Sequence, residues 1–339
     1  MKKIISLLLV LAMALTLAAC GGSSAPAAAT EAPAASTEAP AEDVSADKTF
    51  VVGICQLVQH PALDAATQGF KDALTEALGD KVTFQEQNAS GDSATCSLIC
   101  NQFVSDEVDL IMANATASIQ AAASATNTIP ILGTSITDYG VALGVDNWTG
   151  VSGTNISGTS DLAPLDGQAA MIQELFPDAK TIGLLYCSGE PNSIFQADSM
   201  EALLTDMGYS VERYTFADSN DVSSVTANAC SNADVLYIPT DNTAASCTEA
   251  INNVALSAGI PIVAGEEGIA AGCGVATLSI SYYDLGRATG EMAAEILTEG
   301  ADVSTMEVRF APAFTKEYNA DICEALNITV PDDYVAIAK

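Results

Sequence analysis

Twice along this chain, short apolar runs rich in β-branched and aromatic residues alternate with longer helix-forming stretches, and that rhythm admits few folds. In the first series residues 49–55, 81–86, 108–113 and 129–133 read as strands, separated by helices over 62 onward, 92–105 and 117–126. In the second, strands over 181–187, 210–216, 235–239 and 260–264 are separated by helices over 193–207, 222–232 and 242–258. The runs are apolar throughout rather than at every second residue, as expected of strands buried on both faces. Strands alternating with helices must run parallel and connect by right-handed crossovers, so each series is a doubly wound α/β unit. Between them residues 147–156 are irregular and dotted with glycine, and Pro164 opens a helix over 165–176. The chain is therefore α/β, with two doubly wound lobes and parallel sheets. After a strand at 275–280 a helix from Tyr282 to about 297 returns to the first lobe, and a strand near 307–310 and a helix over 316–326 close the molecule.

The first twenty residues read as a leader and not as part of the fold. Lys2 and Lys3 precede an apolar stretch over 4–17, and Leu17-Ala18-Ala19-Cys20 is a small-residue cleavage site with a cysteine at the cut. That pattern matches the lipobox of exported bacterial lipoproteins, which predicts acylation of Cys20 and attachment to the membrane through lipid alone. Residues 21–47 are nearly all Gly, Ser, Ala, Pro, Thr and Glu, too polar and too patternless to bury a core, and read as a disordered tether. The expected organisation is leader 1–20, tether 21–47, first lobe 48–157, second lobe 158–280, a return to the first lobe over 281–310, and a final crossing with a C-terminal segment on the second lobe over 311–339. The expected location is the outer face of the cytoplasmic membrane, or its periplasmic side.

The 339 residues carry 11 Lys and Arg against 43 Asp and Glu, a formal charge of −32. Such a surface repels phosphate backbones, so nucleic acid is not an expected partner. Eight cysteines follow Cys20, none in a C-x-x-C, and the chain has a single histidine, His60. Neither a zinc site nor a redox motif is indicated, and the thiols read as buried core residues.

Enzyme signatures are missing. No G-x-S-x-G elbow, phosphate loop or dinucleotide fingerprint occurs, so no catalytic residue, cofactor or metal is expected. The ends of the strands are more informative, because ligands of parallel α/β sheets bind beyond the strands' carboxyl ends. In the first series those ends carry Gln56, Gln59 and His60; Asn114 and Thr116; and Thr134, Ser135, Thr137 and Asp138. In the second they carry Glu190, Asn192 and Ser193; Asp241 and Asn242; and Glu266. Hydroxyls, amides and helix N-termini suit a carboxylate, and Asp138, Glu190, Asp241 and Glu266 suit an ammonium. The plainer role for Asp241, Asn242 and Ser193 is to cap the helices that follow. Trp148 either lines the cleft or packs in the irregular segment, and Tyr139, Phe195 and Tyr282 are possible ring partners.

Several phrases together carry a family resemblance: Gln59-His60-Pro61-Ala62-Leu63-Asp64-Ala65, Gly133-Thr134-Ser135-Ile136-Thr137-Asp138, Asn147-Trp148-Thr149-Gly150-Val151-Ser152-Gly153, Asn192-Ser193, Asp241-Asn242 with Ser246, and Leu285-Gly286 with Thr289-Gly290. Over residues 49 to about 331 the chain resembles the substrate-binding lipoproteins of ABC importers of the tryptophan/tyrosine type. One departure is Ser188-Gly189-Glu190-Pro191, where a serine-glutamate pair is expected. The resemblance implies a type I periplasmic-binding-protein fold of two Rossmann-like lobes with parallel sheets and three hinge crossings. It further implies an aromatic amino acid enclosed between the lobes, and an ABC permease with its ATPase as the partner. A receptor for a sugar, nucleoside or autoinducer uses the same fold, as can an enzyme, and fold alone does not separate them.

Overall fold

The computed structural model describes residues 48–338. The expected leader, tether and lipidated Cys20 lie outside the described residues.

The first lobe is laid down by β1 (Phe50–Gln56), α1 (Pro61–Leu78), β2 (Val82–Asn88), α2 (Ser93–Ser105), β3 (Leu110–Asn114), α3 (Thr116–Ala125), β4 (Ile131–Ile136), α4 (Tyr139–Leu143) and β5 (Ile156–Ser160). β1, β3 and β4 are buried almost throughout, as their unbroken apolar runs require. The second lobe repeats the plan with α5 (Leu165–Leu175), β6 (Thr181–Cys187), α6 (Pro191–Asp206), β7 (Ser210–Phe216), α7 (Val222–Cys230), β8 (Val235–Ile238), α8 (Asn242–Ser246), α9 (Thr248–Ala258), β9 (Ile262–Ala264), α10 (Glu267–Cys273) and β10 (Ala276–Ser279). The chain then returns as α11 (Tyr282–Glu299) and β11 (Arg309–Phe310), and ends on the second lobe as β12 (Thr315–Tyr318), α12 (Ala320–Leu326) and β13 (Val335–Ala336).

The strand orders are β11-β5-β4-β3-β1-β2 in the first sheet and β13-β12-β10-β9-β8-β6-β7 in the second. The first sheet is parallel throughout; in the second, β12 alone opposes its neighbour β10. Both central orders turn back beside the first strand of the unit, which opens a crevice at the strand ends. Three segments pass between the sheets: residues 161–164 after β5, 280–281 after β10, and 311–314 after β11.

Four local expectations need correction. Residues 156–160, of which Ile156 ends the stretch expected to be irregular and the rest belong to no expected element, form β5, and they carry the first sheet to Ser160, past the boundary expected at 157/158. The helix expected over 242–258 is broken at Cys247, where Asp241 caps a single short turn. An unexpected helix, α10, follows Glu266. Finally, residues 315–318 are not helix: Lys316 and Tyr318 belong to β12, paired to Leu278 and Ala276, because the edge of β10 offers a ladder that outweighs local helix propensity. Trp148 stacks on Tyr139 at 5.7 Å between ring centroids, on the first lobe, and does not line the cavity described below.

Candidate functional site

The ends of β4, β5, β8 and β9 and the starts of α1, α6, α8, α10 and α11 converge on one narrow, largely enclosed cavity. His60 enters it from the residue before α1. Pro61 starts that helix without an N–H to satisfy, which leaves His60 extended at φ −159° with its ring turned inward and buried. Ser135 enters from an irregularity in β4. The register to β5 slips between Gly133 and Ile136, and Ser135 sits at φ 56°, a conformation that costs a non-glycine residue energy and re-aims its side chain. The slip is seated by a close approach of strands: a Cβ on Gly158 would fall 2.0 Å from the Gly133 carbonyl oxygen, so only glycine fits there.

Three buried carboxyl groups face the same space, and no lysine or arginine is among its lining residues. Asp161, just past β5, accepts from the Tyr282 hydroxyl at 2.9 Å. Burial pushes its pKa up to about 6, against the pull of the Tyr282 and Thr137 hydroxyls. Glu266 caps α10, accepting from the N–H groups of Gly268 at 2.6 Å and Ile269 at 2.5 Å, yet burial raises it to about 7. Asp241 caps α8 through the Ala244 N–H and also accepts from the Cys187 N–H, each at 2.7 Å. Burial, and then the neighbouring Glu190, raise its pKa as well. Burial in turn lowers the pKa of His60 and keeps its ring neutral.

Among the described residues only five buried side-chain polar atoms have no hydrogen-bond partner, and three of them belong to this cavity: His60 Nδ1, Ser135 Oγ and Asp161 Oδ1. Each unsatisfied buried group costs about 1–3 kcal/mol. Three in one cavity leave unmet hydrogen-bonding capacity there, with carboxyl groups beside them that gain by meeting a cation. Leu63 and Ala245 supply apolar wall.

Of the fifteen residues expected at the site, His60, Ser135, Thr137, Asn192, Asp241, Asn242 and Glu266 line the cavity. The other eight stand elsewhere. Gln56 ties β1 to α1, donating to Asp64 at 2.7 Å and accepting from the Thr67 hydroxyl at 2.6 Å. Asn114 donates to the Leu63 carbonyl, Thr134 accepts from the Thr159 hydroxyl, and Thr116 is buried at the first residue of α3. Asp138 caps α4 through the Val141 N–H, Ser193 is buried behind Asn192, and Gln59 is exposed. Glu190 faces away from the cavity and gathers the start of α8. A strand-end position is shared by residues that meet a ligand and residues that fasten the following helix, and these eight fasten or stand outside. Leu63, Asp161 and Ala245 escaped notice; Asp161 would have been marked by its position had residues 156–160 been read as a strand.

The family model for ABC transporter substrate binding proteins matches residues 51–339. A tyrosine-binding protein of Clostridioides difficile strain R20291 is 38% identical over 280 residues, covering 82% of this chain and 81% of that protein. The crystal structure of an ABC domain from Streptococcus pneumoniae in complex with L-Trp superposes with a TM-score of 0.80 at 31% identity, over 84% of this chain and 97% of that one. A ligand-free, open structure of a Clostridium difficile substrate-binding protein with adhesive properties gives 0.66 at 37% identity, over 86% of this chain and 100% of that one. A match along nearly the whole folded part, joined to two parallel-sheet lobes around a polar cavity, places this chain in the family of ABC transporter substrate-binding proteins.

Proposed function

We propose that this protein captures a free aromatic amino acid, tyrosine or tryptophan, between its lobes and delivers it to an ABC permease driven by a separate ATPase. The observation that carries the ligand class is Asp161 Oδ1, a buried carboxyl oxygen without a partner that faces a cavity lined by two further carboxyl groups. A ligand ammonium supplies the missing donor and the missing charge, and the unpartnered hydroxyl of Ser135 suits its carboxylate. Leu63, Ala245 and the ring of Tyr282 receive the side chain. The relatives support the aromatic class, one being named for tyrosine and another holding L-Trp. The chain superposes better on the L-Trp complex than on the open structure, although the open protein is the more similar in sequence. That difference supports a closed arrangement of the lobes in this chain.

Binding across the lobes supplies no chemistry. It shifts an open–closed equilibrium by the difference in ligand affinity between the two states, and the permease reads the closed shape. No helix among the described residues is long and apolar enough to cross a membrane, and a lipid on Cys20 would hold the protein at the outer face. The test is a thermal-shift screen of the full chain against the amino acids, nucleosides and common sugars. A ligand that binds only the folded state adds about 2.7 kcal/mol at one hundred times its dissociation constant. Shifts confined to tyrosine, tryptophan or phenylalanine are expected; shifts with sugars or nucleosides would overturn the ligand class.

A further inference from the structure

Outside the ligand cavity a second, larger and more open space lies between the lobes, with Leu57, Val58 and Asp92 on the first lobe and Glu190 and Thr243 on the second. Asn242 lines both spaces. It also reaches across the lobes: its Oδ1 stands 3.3 Å from His60 Nε2. We infer that His60 and Asn242 form a latch that shuts the cavity off from this second space, and that Glu190, which lines the second space and not the cavity, is the positioning residue that sets it.

The bonding of Glu190 fixes the chemistry of the latch. A carboxylate only accepts, so the five donors around Glu190 are oriented by it. Oε1 takes the Thr243 N–H and hydroxyl, both at 2.8 Å; Oε2 takes the Asn242 N–H at 3.0 Å, the Asn242 side-chain amide at 2.8 Å and the Asn192 amide at 3.2 Å. Because the NH2 of Asn242 is committed to Glu190, its carbonyl oxygen must face His60, and an oxygen can only accept. His60 therefore carries its proton on Nε2. In a neutral ring that leaves Nδ1 a bare acceptor, and Nδ1 is the unpartnered nitrogen of the cavity. Glu190 thus acts at a distance in two ways: it holds the gate shut, and it selects the tautomer that presents an acceptor to an N–H or O–H of the ligand.

The inference rests on the aromatic amino-acid reading for its probe, L-tyrosine or L-tryptophan, whichever binds. His60 is the only histidine in the chain, so its two ring nitrogens give unambiguous NMR signals in histidine-labelled full-length protein. The wild-type complex is expected to show a protonated Nε2 and an unprotonated Nδ1. In Glu190→Gln one of the two oxygens becomes an NH2 facing other donors. The tautomer preference should then be lost, and stopped-flow release of the amino acid should quicken about tenfold, the worth of one net hydrogen bond. The association rate should move less than about threefold. A release rate does not depend on the fraction of protein that is folded, so simple destabilisation would not produce this result. A protonated Nδ1 in the wild-type complex overturns the latch without any variant, as does release from Glu190→Gln at the wild-type rate with the tautomer unchanged. Failure of the ligand reading looks different: neither amino acid would bind the wild-type chain at all.

Discussion

Asp161 concentrates the behaviour of the site in one side chain. It is fully enclosed, it has one oxygen on Tyr282 and one without a partner, and its pKa stands near 6. A raised carboxyl pKa means that the folded protein holds a proton the unfolded chain has already lost. This group's contribution to stability is therefore full below about pH 4 and falls as pH rises through 6. Glu266 contributes in the same sense up to about pH 7. An ammonium ligand reverses the cost, because it needs the carboxylate ionised. Affinity for the amino acid should accordingly drop by at least roughly tenfold between pH 7 and pH 5, with proton uptake on release. Asp161→Asn should weaken binding at pH 7.5 by roughly 2–4 kcal/mol and flatten that pH slope, as titration calorimetry at the two pH values will show. Affinity unchanged in the variant would remove Asp161 from the site. The sequence did not disclose this residue because its role depends on β5, five residues whose Ser, Gly and Thr carry little strand signal. Nor did it disclose why Ser135 rather than Thr134 meets the cavity, since that follows from a one-residue slip in register which reverses side-chain directions.

At the level of elements the alternation of strand and helix was legible because each buried strand and each helix carries its own composition. The misread pieces are those whose state is set by a distant partner. Residues 315–318 look helical in isolation and become strand only because β10 has a free edge, and residues 267–273 become helix because Glu266 is there to cap them. The contact between α1 and α11 is another such long-range fact, and it explains three glycines in otherwise helical sequence. A Cβ on Gly286 would meet the Ala66 carbonyl oxygen at 2.0 Å, one on Gly69 the Tyr283 carbonyl oxygen at 2.0 Å, and one on Gly290 the Phe70 carbonyl oxygen at 2.6 Å. The two helices touch backbone to backbone. Alanine favours a helix over glycine by about 1 kcal/mol, but forcing the helices apart costs more. Gly286→Ala is expected to lose about 1–3 kcal/mol of stability, seen as a lower urea midpoint at unchanged slope. A midpoint at or above that of the wild type would show that the helix seam yields freely.

The whole molecule couples these parts because its ligand cavity sits on its hinges. Asp161 lies in the first segment that passes between the sheets, and Tyr282 follows directly on the second, so their hydrogen bond ties two crossings together at the cavity wall. Ser135 and Thr137 belong to the first lobe, Asn192, Asp241 and Asn242 to the second. A ligand touching all of them holds both lobes, and the full set of contacts exists only when the lobes are closed. Taking such an equilibrium from mostly open to mostly closed requires about 5.5 kcal/mol of differential affinity, within reach of one buried ion pair and several hydrogen bonds. Closure must then leave a pattern in backbone dynamics that local binding would not. On saturation with L-tyrosine or L-tryptophan, amide hydrogen exchange should slow at residues 135–138 on the first lobe, at 240–242 on the second, and in the crossings at 161–164, 280–281 and 311–314. The centres of β1 and β6, already shielded in the sheets, should exchange as before. Crossing 311–314 is the decisive segment: none of its residues lines the cavity, so protection there can come only from the lobes settling against each other. Slowing restricted to one lobe, with 311–314 unaffected, would mean that the ligand binds an open face and that closure is not its work.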